Sequence, residues 1–301
     1  MKRLTALTLA LLLALSLSAC KKAEEEAPDR SGPVSSAPEK KEPPEGFLGV
    51  SGEPLKETTL ASVSASAIVT EGRVPEGEYD LPTEIISLEE WEKQGGIAQL
   101  DRLHNDSAAF YAVEGKEFSP ALIRWEDSLV EFDWAYATSR GYQPIMWRSD
   151  MDGDGDHELA VVCDVASGTN VSFYELHVLE KNDDGTLTAY TYPWETLAAA
   201  LDSSFQIAFS GDKTYVNIGQ EYVDITEVLG SAEPKYTGNG LEAGPMAAFE
   251  RMGAGFAYYQ GLFLETENVG SRPVALLGAE GSYQDGTFLL DNLSVWPMPN
   301  A

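Results

Sequence analysis

Nine consecutive residues, Asp150-Met151-Asp152-Gly153-Asp154-Gly155-Asp156-His157-Glu158, place acids at relative positions 1, 3, 5 and 9, with a glycine at 6. A hard divalent cation such as calcium takes about six to eight oxygens at ~2.3–2.6 Å, and acids at alternate positions of a tightly curled loop point inward together. On this spacing Asp150, Asp152, Asp154 and Glu158 supply side-chain oxygens and Asp156 its backbone carbonyl. Gly155 allows the sharp turn that a Cβ would obstruct. Without a cation these carboxylates repel one another at close range, so the loop calls for a counterion. The expectation is one structural calcium site. The competing reading is an acidic, solvated turn that stays empty at physiological calcium, since extracellular sites often bind at only ~10⁻⁴–10⁻³ M.

The pattern departs from an EF-hand at position 12, where Val161 stands in place of a bidentate glutamate, while the acid at position 9 leads straight into a strand-like run. Residues 150–162 resemble instead the Asp-rich calcium loops of strand-flanked extracellular modules of the integrin and VCBS types. A longer resemblance runs through Ala121-Leu122-Ile123-Arg124-Trp125, Phe132-Asp133-Trp134, the Asp loop, Ser167-Gly168-Thr169 and Glu175-Leu176-His177-Val178. It is to an uncharacterised extracellular region of Firmicutes, found in lipoproteins and attached to membrane metallopeptidases of the β-lactam-sensor type. The resemblance implies a cell-surface location and a sensing or binding role, without peptidase activity. His157-Glu158 does not open a zinc-protease motif, because position 161 is valine rather than histidine.

The address of the chain is written at its start. Lys2 and Arg3 precede a nearly uncharged stretch, residues 4–17, too short for a membrane span of ~20 residues. It ends Leu17-Ser18-Ala19-Cys20, which resembles the lipobox of bacterial lipoproteins, in which the cysteine becomes a lipid-bearing N-terminus. Residues 1–20 therefore read as a lipoprotein signal peptide. Residues 21–57, rich in Glu, Lys, Pro and Ser, read as a disordered tether. Residues 58–301 read as a β-rich extracytoplasmic domain, with room for two subdomains.

The 301-residue chain carries 20 basic and 49 acidic residues, a net charge of −29. Removing residues 1–20 leaves 18 basic against 49 acidic, or −31. Such a surface repels phosphate backbones, so nucleic acid is excluded as a partner. The membrane is reached through lipid on Cys20, and a cell-wall or protein ligand is the remaining class of partner.

The elements that would carry the loop are mostly strands. Residues 121–134, 145–148, 158–165 and 171–179 hold the β-branched and aromatic content of strands, and Asp184-Gly185 turns into another at 186–192. Further strands are expected at 204–209, 215–218, 222–225, 246–249, 255–264, 274–283 and 288–295, the last two joined by a turn at Asp285-Gly286. Ser87-Leu88-Glu89-Glu90 is a capping box that opens a helix through Trp91 towards Leu103, with Gly95-Gly96 as a potential break. A second helix follows Pro193 at 194–201. The fold class is α+β, predominantly antiparallel and hairpin-rich, with a few short helices.

Two common enzyme signatures are absent: there is no Gly-x-Ser-x-Gly elbow and no Gly-rich phosphate loop. No catalytic residue is assigned and the chain is read as a non-enzyme. The alternative is a cell-envelope hydrolase using a carboxylate pair such as Glu89-Glu90, which sequence cannot position. Cys163 reads as a small buried hydrophobe, His177 as a half-buried strand residue, and His104 as a surface residue after the first helix. The abundant aromatics read as core and cross-strand packing, with stacking on sugars as the competing use.

Overall fold

The structure, a computed structural model, describes residues 46–55, 62–105, 107–114, 120–136, 140–202, 204–219 and 221–298. The signal peptide and lipobox, and residues 21–45 of the tether, lie outside the described residues. Among the described residues, strands dominate and helices are short, consistent with the α+β reading.

Alternation sets the architecture. The strands β8 (Glu158–Gly168), β9 (Val171–Lys181) and β10 (Leu187–Thr191) pair antiparallel, and β7 (Ile145–Ser149) pairs with the outer edge of β8. Successive side chains of a strand point to opposite faces. Accordingly Ala160 and Val162 of β8 enter one core with Leu176 and Val178 of β9, while Leu159, Val161 and Cys163 enter a second core with Leu179, Leu187 and Ala189. Burial on both faces is why the run Leu159–Cys163 is apolar without interruption.

The first core lies within a ring of strands. β14 (Tyr236–Met252), β15 (Gly255–Thr266), β16 (Pro273–Gln284) and β17 (Thr287–Pro297) form a meander, and β14 joins β9 through a short parallel contact. β1 (Val63–Ser66) pairs with β17, whereas β2 (Ile68–Glu71) pairs with β10. Because only Ala67 separates β1 from β2, one segment ties the two ends of the sheet together and the ring closes. Phe256, Tyr258, Leu262 and Leu264 of β15 face its interior.

Gln260 shares that face and is fully buried. Its amide is satisfied on both sides: Trp194 Nε1 donates to Oε1 at 2.9 Å, Tyr258 OH donates to the same oxygen, and Nε2 donates to the Gly244 carbonyl. Replacing it by leucine removes the partner of two buried groups, Tyr258 OH and the Gly244 carbonyl, and of the half-buried Trp194 Nε1. Gln260→Leu is expected to cost about 2–4 kcal/mol in urea unfolding; a loss under about 1 kcal/mol would show that the network re-pairs without it.

The second core is closed by an antiparallel meander: β3 (Ile97–Arg102), β4 (Ala108–Val113), β5 (Ala121–Trp125) and β6 (Ser128–Phe132). Residues 121–134 are thus two strands rather than one, because Glu126 at φ 53° folds the chain into a hairpin whose register starts at Trp125 and Ser128. Helix α1 (Leu88–Gln94) has the expected reciprocal Ser87–Glu90 capping bonds, yet stops well short of Leu103. Gly95 and Gly96 take φ 69° and 74°, and the chain leaves them as β3. His104 consequently follows a strand, and it is exposed.

A third sheet, β11 (Phe205–Ser210), β12 (Lys213–Ile218) and β13 (Glu221–Asp224), packs on the ring with α2 (Trp194–Asp202) and α3 (Thr226–Leu229) at its flanks. It corrects the tether boundary. Residues 46–55 are pinned to it: Leu48 and Phe209 exchange backbone bonds at 3.0 and 2.8 Å, and Phe47 meets the rings of Tyr215 and Tyr222 edge-on at 5.1 and 5.7 Å. The apolar pair Phe47-Leu48 is too isolated in its Pro/Glu-rich surroundings to signal this contact.

Candidate metal centre

The Asp loop is the connection between β7 and β8, closed by the register pair Ser149 and Glu158. It is curled by its own side chains. Asp150 Oδ1 accepts from Gly153 N at 2.8 Å, Asp152 Oδ1 from Asp154 N at 3.1 Å, and Asp154 Oδ1 from Asp156 N at 2.8 Å. Gly153 and Gly155 hold φ 81° and 99°, where an L side chain is strained, so the spacing of glycines among acids has a backbone reason. Met151 anchors the loop by burying its side chain in the first core, and its N–H donates to Glu158 Oε2 at 2.6 Å.

Three carboxylates converge. One oxygen each from Asp150, Asp152 and Glu158 lies within 4.8 Å of the others, a group that can hold a metal ion. Glu158 is only 4% exposed. Burial, with the Asp152 and Asp154 charges adding to it against the Met151 hydrogen bond, pushes its carboxyl up to about 7. Asp152 is also raised, first by burial and then by the charges of Asp154, Asp285 and Asp150. A cation placed among these groups would reverse that penalty, because opposite charge favours the ionised form.

The other two expected residues stand apart. Asp154 and Asp156 are exposed, and the Asp154 carboxylate turns back to the Asp156 amide. Asp156 was assigned only through its carbonyl oxygen, on which the side-chain grouping does not bear. One contributor was not found from the motif. Asp285, in the β16–β17 turn at φ 47°, brings its charge to bear on Asp152, and the Gly286 carbonyl fixes that turn by accepting from Ala67 N at 2.8 Å. Its only sequence signal was the Asp-Gly turn itself.

Elsewhere the titratable residues are enclosed. Cys163 is a buried free thiol, held well above its ordinary value mainly by burial. His177 is 1% exposed rather than half-buried. Its ring stacks on Trp134 at 3.9 Å, Nδ1 bonds Thr191 Oγ1 at 2.8 Å, and Nε2 lies 3.4 Å from Glu175 Oε2. The tryptophans Trp125, Trp134 and Trp147 are buried, and Trp296 is the one aromatic among the exposed large hydrophobics of the described residues. That distribution favours packing over a sugar-stacking platform. No helix of the described residues is long and apolar enough to cross a membrane. Compared with known proteins, the chain matches no family model, no curated protein and no solved structure.

Proposed function

We propose that this protein is a binding or sensing module of the cell surface, tethered by lipid on Cys20 and stabilised by one calcium ion at Asp150, Asp152 and Glu158. The convergence of those three carboxylates in a β-hairpin loop carries the reading. Oxygen-only ligands and a flexible acidic loop suit calcium better than the softer transition metals, which favour imidazole or thiolate. The placement of the loop also matters to the role: β8 separates the two cores, so an ion that fixes its start braces both. The lipobox resemblance and the long Glu/Lys/Pro-rich leader support a location outside the cytoplasm, where calcium is abundant.

Equilibrium dialysis with calcium tests the site: one ion per chain is expected, lost in Asp152→Ala, and no binding at about 10 mM would overturn it. The anchor is tested separately. Cys20→Ala should move the protein from the detergent phase to the aqueous phase when the host's membranes are partitioned; retention in the detergent phase would refute lipidation at this residue.

A further inference from the structure

We infer that residues 46–55 are an autoinhibitory strap: they fill a strand-addition seat on the β11 edge of the third sheet, and the seat's other occupant is an extended segment of a partner protein carrying an aromatic–aliphatic pair. The inference deepens the binding role proposed above and rests on it. It uses no residue of the Asp loop or the lipobox, so its failure and theirs are distinguishable.

The seat has a backbone half and an aromatic half. β11 is an outer strand of its sheet, and its edge is covered at two points. Asn239 of β14 donates Nδ2 to the Phe205 carbonyl at 2.9 Å, while Phe209 exchanges both of its backbone groups with Leu48. Covers of this kind keep an edge from pairing with another chain. The first is part of the ring itself, whereas the second arrives at the end of the Pro/Glu-rich leader. Beside it Tyr215 of β12 and Tyr222 of β13 meet edge-on at 5.9 Å, and Phe47 completes a three-ring cluster with both. In strand addition the backbone bonds supply affinity and side-chain pockets supply selectivity. Here the pocket selects a ring one residue ahead of the paired position.

The strap is built to lift as a unit. Among the described residues its other backbone bonds are internal: Gly49 N to the Glu53 carbonyl at 2.9 Å, Gly52 N to the Gly49 carbonyl at 2.9 Å, and Leu55 N to the Phe47 carbonyl at 3.2 Å. To the body it presents the exchanged pair at Leu48, the Phe47 ring and the half-buried Val50, and Leu48 itself remains 41% exposed. A segment with so few buried contacts opens at lower free energy than the core beneath it. The seat stays formed when the strap lifts, because Ile207, Val216 and Ile218 hold the sheet in the first core. Attachment to the same chain gives the strap an effective concentration on the order of millimolar, so a more dilute partner is excluded while the strap is intact.

Fluorescence anisotropy of the full chain in detergent, with a labelled peptide of residues 46–55, tests the inference. Phe47→Ala/Leu48→Pro removes the strap's ring and the N–H that bonds Phe209, and this opened chain should bind the peptide saturably, one per chain. The unaltered chain should bind it roughly tenfold more weakly, because its own strap competes. A peptide carrying Phe47→Ala should bind the opened chain roughly tenfold more weakly than the parent peptide. Phe47→Ala alone leaves the backbone pair in place and decides the matter if the double variant does not fold: it should bind the peptide more tightly than the unaltered chain. No saturable binding to a folded, opened chain at about 1 mM peptide, or equal binding by opened and unaltered chains, would overturn the seat. A concentration-dependent dimer of the unaltered chain that disappears in Leu48→Pro would overturn the partner assignment in favour of a second copy.

Discussion

Calcium at about a hundred times its Kd should stabilise the chain by ~2.7 kcal/mol and raise its unfolding temperature by roughly 5–11 °C for a body of this size. The gain arises because the folded chain alone assembles Asp150, Asp152 and Glu158 within 4.8 Å. In Asp152→Ala the rise should vanish. The same variant, unfolded in chelator, should be no less stable than the parent, since it removes one member of a repelling cluster. Asp154→Asn separates the geometry from the motif. Asp154 is exposed and lies outside the grouped triad, so this variant should keep most of the calcium response. Magnesium, which demands tighter octahedral geometry, should give a smaller rise at equal concentration. Thermal unfolding of the full chain in detergent across 0.01–10 mM calcium, roughly bracketing extracellular affinities, reads all of these. A flat curve for the parent would reduce the loop to an acidic turn.

How much of this was legible depended on whether the signal was local. The hairpins from β7 to β10 and from β15 to β17 announce themselves by alternation and by Asp-Gly turns, and their strands fall close to the expected residues, whereas β14 runs Tyr236–Met252 against an expected 246–249. β3 and β4 do not. β4 reads Ala-Ala-Phe-Tyr-Ala-Val, with alanines that favour no strand, and it holds its place because both faces are covered. A strong capping box ahead of β3 favoured helix until two glycines ended it. Ring closure through Val63–Glu71 joins residues more than a hundred positions apart and leaves no pattern in either segment. The metal loop shows the same division. Spacing treats Asp150, Asp152, Asp154 and Glu158 alike; the fold brings one oxygen each of Asp150, Asp152 and Glu158 within 4.8 Å and leaves Asp154 exposed, a difference that alternation does not carry. Asp285 reaches Asp152 across the fold and was beyond any local window.

Acid should destabilise the protein through His177. Burial holds its imidazole down to about 3, against an ordinary value near 6.5. Between those values the unfolded chain binds a proton that the folded chain refuses, so folding stability declines as pH falls, by about 1.4 kcal/mol per pH unit. Above pH ~6.5 both states are neutral at this residue and it contributes no pH dependence. The carboxyls of Glu158 and Glu175, both raised by burial, act in the opposite direction: the folded chain holds their protons more tightly, so they lose stability as pH rises. A variant is therefore needed to isolate the histidine. His177→Gln removes the titration and can keep the bond to Thr191. Urea midpoints measured from pH 7.5 to 4 in chelator, so that cation occupancy does not change, should give a wild-type stability that falls relative to the variant below pH ~6.5, with a difference of ~2–3 kcal/mol accumulated by pH ~4.5. Glu175 makes the test decisive. If that carboxylate, 3.4 Å from Nε2, ionised inside the fold and stabilised an imidazolium, the two curves would run parallel. Parallel curves would mean that the Trp134 stack encloses a charged pair rather than a neutral ring.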